Sequence, residues 1–347
     1  FEKGDEHSLD SRSTPQKTAI LRSLLESGDS AVSGNSLCRS LGCSRQAVWK
    51  NIRSLLNEGF RITGKPHEGY RLEALPEYDL APSLIAASLG DGAEWNGTVL
   101  LYETVSSTQL VAKDLARKGA AHGTVILAEN QRQGRGRLDR SWTMCPGEGL
   151  AMSVVLSPRM KPHQLQLVNL AAGMAVRKAI EDEARVCCSL KWPNDVLFSG
   201  RKVSGILSEA SLDQDRVVFV VTGIGINVNT AVDDFPMELS DSMMSLKAAS
   251  GRSAHRGLLA ANVLTELLRH MRRLENDTAG FLDAYRASCS SLGQDVLVNT
   301  GEEECEGKAL DICDTGELIV STRDGVRRFA AADVVHASFP ALRSSLL

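Results

Sequence analysis

Apolar residues along this chain change their spacing three times. Between Thr14 and Leu72 they recur at helical intervals: Ile20, Leu21, Leu24 and Leu25, then Leu37 and Leu41, then Ala47, Val48, Ile52, Leu55 and Leu56. Thr14-Pro15 opens the first helix, with proline where an N–H has no helical partner. Ser33 caps a second helix that stops at Gly42, and Ser44 caps a third that stops at Gly59. Phe60–Thr63 and Tyr70–Leu72 read as short strands around the turn Gly64–Gly69. Helices joined by a tight glycine turn, then a hairpin, describe a winged helix-turn-helix over residues 14–75. Residues 1–13 are polar and unpatterned and are expected to be disordered.

Pro76 to Pro82 reads as a linker. Over residues 83–285 apolar strands alternate with amphipathic helices. The strands are Thr98–Tyr102, Thr124–Ala128, Ala151–Leu156, Cys188–Trp192, Lys202–Leu207 and Val217–Thr222; the helices are Thr108–Lys118 and Gln164–Glu183. A mixed α/β domain around one sheet is the expectation. Residues 290–340 return to short strands, at Asp295–Val298, Cys305–Ile312, Leu318–Ser321, Arg327–Phe329 and Val334–Ala337. Turns at Thr300-Gly301, Asp314–Gly316 and Asp324-Gly325 separate them, which fits a small SH3-like β-barrel.

Charge changes this picture more than composition does. The 347 residues are 43% hydrophobic and 24% charged, as in an ordinary globular protein. No apolar run approaches the roughly 18–20 residues that span a bilayer, and no basic-then-apolar leader is visible, so no membrane partner and a cytoplasmic location are expected. The eight cysteines form no C-x-x-C pair and suit neither a disulfide framework nor a zinc site; free thiols are expected. The net charge of −4 is unevenly spread: Gln16–Leu72 holds nine basic residues against four acidic ones, a local +5 that leaves −9 elsewhere. A basic module on an acidic body implies a local anionic partner. The third helix turns Arg45, Gln46, Trp49, Lys50 and Arg53 outward, behind its cap Ser44. Arginine and glutamine there can reach base edges, while Lys50, Arg53 and the wing-tip Lys65 suit phosphates. A small helical bundle with a solvated charged face is the alternative.

Four clusters carry candidate chemistry. Gln131–Arg137 (Gln-Arg-Gln-Gly-Arg-Gly-Arg), followed by Arg140 and Trp142, lets backbone N–H groups converge on an anion beside fixed positive charge. Such a loop is expected to order on its ligand; the alternative is a flexible linker. Lys191-Trp192-Pro193-Asn194-Asp195 leaves a strand end with groups suited to phosphates and their magnesium. Gly200–Leu207 places Lys202 in an apolar strand, where a lysine usually snorkels to solvent. Thr222–Asn229 sets Gly223 and Gly225 in another apolar strand, a sign of close approach by a ligand.

Together with Ser106-Ser107-Thr108, these clusters and their order resemble the biotin–protein ligase family, in its bifunctional type with a biotin operon repressor module. The resemblance covers nearly the whole chain. It implies a class II synthetase-like mixed-sheet ligase domain between the winged helix-turn-helix and the SH3-like domain. It implies ATP and Mg2+, biotin as substrate, and a two-step reaction: biotin and ATP give biotinyl-adenylate and pyrophosphate, then a lysine of biotin carboxyl carrier protein takes the biotinyl group. By family position Lys202 and Arg137 are catalytic. Ser107, Thr108, Gln131, Gly134, Arg135, Arg137, Lys202, Gly205 and Gly223 hold biotin. Arg135, Arg140, Trp142, Lys191, Asn194, Asp195 and Asn227 face ATP, with Trp142 on adenine and Asp195 towards the metal. Operator DNA and a homodimer formed on adenylate binding are the implied partners. Asp139 departs from the family loop, which commonly has glycine there, and would loosen the loop or pair with Arg140. A ligase with a non-functional DNA module, a lipoate ligase-like enzyme and a DNA-binding biotin sensor without catalysis are the competing readings. The C-terminal domain receives no catalytic residue.

Overall fold

The first strand lies where the sequence pattern is blank. The protein is described from a computed structural model that covers residues 9–89, 95–138, 140–330 and 332–336. β1 (Leu9–Arg12), expected to be disordered, instead runs antiparallel to a later strand of the central sheet. Residues 1–8 of the segment read as disordered, and Asp139, lie outside the described residues.

α1 (Pro15–Glu26), α2 (Gly34–Leu41) and α3 (Arg45–Asn57) follow, then the hairpin β2 (Arg61–Lys65) and β3 (Gly69–Ala74). Ser33 accepts from Asn35 N–H and Ser44 from Ala47 N–H, so both caps satisfy orphan donors. Gly42 takes φ +58, the left-handed geometry that ends α2. Ile20, Leu21, Leu24, Leu37, Val48, Ile52 and Leu55 close a core of their own. Two positions depart from the expected inner face. Leu56 is exposed and Ala47 only half-buried, because the stripe along α3 narrows to Val48, Ile52 and Leu55.

The expected linker, Pro76–Pro82, is non-helical up to its last residue, where an unassigned short helix begins. α4 (Pro82–Ala87) is buried at all six residues and packs on α1. Just before it, Asp79 meets the fully built charge cluster of this junction. Arg256, 4% exposed, donates to Asp79 at 2.6 Å and to Glu129 at 2.9 and 3.0 Å. Tyr78 Oη donates to Glu129 at 2.5 Å.

The central sheet is built from β4 (Val99–Val105), β5 (Thr124–Gln131), β6 (Leu150–Leu156), β7 (Ser189–Lys191), β8 (Asp195–Phe198), β9 (Arg201–Asp213) and β10 (Arg216–Ile226). With β1 the order is β1-β4-β5-β6-β10-β9-β8-β7, and only β4 and β5 run parallel. α5 (Thr108–Arg117) connects that pair, as a parallel crossover requires. Alternate residues of β5 feed opposite faces: Val125 and Leu127 join one core, Ile126 and Ala128 the other under α5. The first face is covered by α6 (Gln166–Ala184) and α8 (Arg256–Asn276), with α7 (Leu246–Ser250) and α9 (Thr278–Ser288) completing the layer. The sequence reading assigns nothing to α8 and α9.

β11 (Asp295–Asn299), β12 (Glu304–Ile312), β13 (Leu318–Thr322), β14 (Gly325–Phe329) and β15 (Asp333–His336) form an antiparallel sheet in the order β14-β13-β12-β11-β15. Ala337, expected in the last strand, lies outside the described residues. Val298, Ile312, Leu318 and Val320 share one continuous core with Leu190, Trp192 and α8, so this sheet is welded to the central one. Among the described residues no helix is long and apolar enough to cross a membrane.

Candidate active site and nucleic-acid face

A cavity of about 540 Å3 opens where β5, β9 and β10 end beside the glycine-arginine loop. One end is neutral and hydrogen-bonding. Ser107 caps α5, leaving Thr108 at the first turn, where its N–H and Oγ1 both donate to Gln131 Oε1 at 2.9 and 3.1 Å. Ser153 Oγ donates to Thr108 Oγ1 at 2.9 Å and to Gln109 Oε1 at 3.2 Å. Gln109, which the sequence reading missed, spans to the carbonyls of Leu207 and Val221. A Cβ on Gly223 would stand 2.6 Å from Gln109 Oε1, so the glycine makes room for this amide.

The other end is cationic. Arg135, Arg137, Arg140, Lys191 and Lys202 line it against two carboxylates, Asp195 and Asp333, so the cavity suits an anionic ligand. Lys202 does not snorkel. Its Nζ lies 2.7 Å from Asp195 Oδ1 and 5.7 Å from the Trp142 ring centre, because Asp195 on the neighbouring strand offers a closer partner than water. Lys191 Nζ is 3.9 Å from Asp195 Oδ2. Burial alone would raise the Asp195 carboxyl; Lys202 and Lys191 outweigh it and hold the group below the usual carboxylate range. Burial pulls the Lys191 ammonium down, with Asp195 opposing.

The glycine-arginine loop is folded on itself. Trp142 N–H donates to Gly134 O at 2.8 Å, and Gly136 N–H to Arg140 O at 2.7 Å. Its arginines are held by carboxylates and by neutral oxygen acceptors of the protein. Arg140 pairs with Asp333, Arg137 reaches Asn194 Oδ1 at 3.3 Å and Ala332 O at 3.2 Å, and Arg135 lies 3.7 Å from Glu209. Asp333, Val334 and Val335 of the C-terminal sheet line the cavity, although the sequence assigns that domain no such part. Trp142 lies flat on two strands: a Cβ on Gly225 would stand 2.3 Å from the indole, and one on Gly205 3.0 Å. Its buried Nε1 donor finds no acceptor among the described residues.

Of the expected ligand-binding residues, Ser107, Thr108, Gln131, Arg135, Arg137, Arg140, Trp142, Lys191, Asn194, Asp195, Lys202, Gly205 and Gly223 line this one cavity. Gly134 and Asn227 do not. Gly134 is packed against Trp142 O, and Asn227 sits below the lining with Nδ2 3.9 Å from Met243 Sδ. Among the described residues no three His, Cys, Asp or Glu side chains group as a metal site. All eight cysteines are free.

The seven expected DNA-contacting residues lie on one module and are exposed. Trp49 is half-exposed beneath Arg53, whose guanidinium carbon stands 4.9 Å from the ring centre. Arg45 is held by two bonds to Asn35 Oδ1, at 3.0 and 2.7 Å, so α2 aims the first basic side chain of α3. Lys65 pairs with Glu68 across the wing turn.

Three family models match this chain: an HTH domain over residues 16–71, the biotin/lipoate A/B protein ligase family over 101–227, and the biotin protein ligase C terminal domain over 291–337. The bifunctional ligase/repressor BirA of Bacillus spizizenii is 37% identical over 93% of this chain and 99% of its own. The biotin–[acetyl-CoA-carboxylase] ligase of Mycobacterium tuberculosis is 31% identical over 72% of this chain and 92% of its own. Among solved structures, a biotin protein ligase from Aquifex aeolicus in complex with biotin and ATP gives a TM-score of 0.60 at 29% identity, covering 69% of this chain and 99% of that one.

Proposed function

The chain belongs to the biotin–protein ligase family, in the branch that carries a helix-turn-helix, and from that premise we propose how its own residues divide the work. It is an ATP-dependent biotin–protein ligase and a repressor. The observation that carries the assignment of roles is the convergence of Arg135, Arg137 and Lys202 on one cavity, beside a neutral hydrogen-bonding pocket.

Biotin's ureido group takes the pocket of Ser107, Thr108, Gln131 and the backbone near Gly205, where neutral donors and acceptors match a neutral ring. Its carboxylate then points at Lys202. The triphosphate lies along Lys191, Asn194 and Asp195, with Arg137 and Arg140 closing over it. Two anions that repel in water are held together, and charge growing at the α-phosphate meets cations already in place. Displacement of pyrophosphate by the biotin carboxylate gives biotinyl-adenylate. A carrier-protein lysine then attacks the mixed anhydride and AMP leaves. Asp195 would hold a magnesium ion beside the triphosphate, since one carboxylate is enough for such an ion, and the ion would screen the phosphate charge. Trp142 moves from its glycine floor to cover adenine, and the folded loop keeps water from the anhydride.

For the repressor, α3 lies in the major groove with Arg45 and Gln46 at base edges; Ser44, Trp49, Lys50, Arg53 and Lys65 contact the backbone around it. Biotinyl-adenylate is the corepressor and promotes a homodimer that matches a two-fold operator. In support, among the described residues β9 beyond Ile206 pairs only with β10, which leaves one strand edge for a second copy.

Incubation with labelled biotin, ATP and a biotin carboxyl carrier domain tests the first activity: the carrier should be labelled only with ATP present. A gel-shift titration tests the second, and equal operator affinity with and without biotin and ATP would remove the corepressor role.

A further inference from the structure

The segment that carries Lys191 and Asp195 is poorly supported by its own sheet. β7 is three residues long and stands at the sheet edge, with β8 as its only strand neighbour among the described residues. An edge that short frays unless something else takes its backbone groups. Residues after α9 do so. Cys289 bridges Leu190 in parallel, and Ser290 donates to Leu190 O from its N–H at 2.8 Å and its Oγ at 3.0 Å. One residue on, Trp192 N–H donates to Ser291 Oγ at 3.1 Å. Ser291 Oγ in turn lies 2.9 Å from His336 Nε2, at the end of β15. The Trp192 indole is fixed from the same direction, donating to Gly316 O at 2.9 Å.

Ser291 and His336 are fully buried, and neither lines the cavity. Resting on the ligase reading, we propose that Ser291 and His336 are positioning residues for the nucleotide, a buried relay through which the C-terminal sheet fixes the Trp192 backbone. A serine hydroxyl has two lone pairs and one proton, enough to serve Trp192 and His336 at once. What the relay holds is the spot where Lys191 and Asp195 meet the triphosphate. The same strand works at both ends: Asp333, three residues before His336, engages Arg137 and Arg140. β15 therefore sets the distance between the loop arginines and the Lys191–Asp195 pair. Reacting groups tolerate little error in such a distance, since a misplacement of about 1 Å costs on the order of a hundredfold in rate. Burial, with Lys191 nearby, keeps the imidazole neutral, so it adds a hydrogen bond without adding charge.

The test measures pyrophosphate release by the full chain while ATP and biotin are varied separately. Ser291→Ala and His336→Phe should each raise KM for ATP about tenfold while leaving KM for biotin near wild type, with the melting temperature lowered only by what one buried hydrogen bond is worth. His336→Gln, whose amide can reach Ser291, should restore most of the loss. The double variant should be no worse than the more affected single one, because both break one relay. An unchanged KM for ATP in Ser291→Ala overturns the proposal. So does a parallel rise of both KM values with a larger drop in melting temperature, or no difference between His336→Gln and His336→Phe. Should Ser291→Ala not fold, the two His336 variants decide alone. Wild-type protein that releases no pyrophosphate from biotin and ATP would instead strike the ligase reading itself.

Discussion

Lys202→Ala tests the cation on which the proposed adenylation step depends most. Its ammonium is the group closest to the Asp195 carboxylate, at 2.7 Å, and a quarter of the side chain is exposed to the cavity. Removing a pre-placed donor from a developing oxyanion costs about 3–4 kcal/mol, or roughly 10²–10³ in rate. A second effect must be separated from the first. Without Lys202, Asp195 keeps only Lys191 at 3.9 Å, and a less compensated carboxylate would repel the incoming phosphates. The double variant Lys202→Ala/Asp195→Asn removes that repulsion. Single-turnover pyrophosphate release should be slow in both variants, the double one recovering only a small part. Biotin binding, measured by titration calorimetry, should persist, because Thr108 and Gln131 hold the neutral pocket together without Lys202. Pyrophosphate release within a few-fold of wild type in Lys202→Ala would refute the role. Full recovery in the double variant would show that repulsion by the uncompensated Asp195 carboxylate, and not lost transition-state stabilisation, explains the defect.

Arg137→Gly opens the loop over the product, and free biotinyl-adenylate in the medium with stray labelling of bystander lysines is the expected result; no labelling beyond the carrier counts against it. Arg256→Leu strands two part-buried carboxylates, a loss of about 3–5 kcal/mol that urea unfolding would detect, and a loss under about 1 kcal/mol would contradict it. Burial, with Lys191 nearby, drives the His336 imidazole down to about 4, against an ordinary value of 6.5. The folded protein thus binds fewer protons than the unfolded chain between these values, so stability rises with pH across that window. Its contribution, about 3 kcal/mol, is full above pH 6.5 and is lost as pH falls towards 4; His336→Gln should flatten this part of the stability profile.

The parts of the site that lie in contiguous runs were legible in the sequence. Lys202, Arg135 and Arg137 each stand in a short stretch whose glycines announce close backbone approach. Continuous apolar runs placed β4, β5 and β6, since a sheet covered on both faces buries both sides of its strands, and amphipathic spacing placed α5. Pairings between distant segments left no such mark. Asp333 finds Arg140, and Arg256 finds Asp79 and Glu129, only after the sheet has brought them together. Gln109 was hidden because a glutamine in the first turn of a helix looks solvated until Gly223 is seen to admit it. α8 buries residues around much of its circumference, Arg256 and Glu266 included, and it was passed over although its amphipathic stripe is stronger than that of α1 or α6. β1 carries almost no apolar signal and is recruited by backbone pairing with β4.

The two bare positions under Trp142 set a clearance of one ring's thickness between the loop and the sheet. Residues 142, 205 and 225 therefore answer to one another as a gauge: whichever flat group occupies the slot, a methyl at 225 shuts it. An alanine there should abolish both the resting seat of the indole and the space it vacates, so no change confined to the loop could compensate.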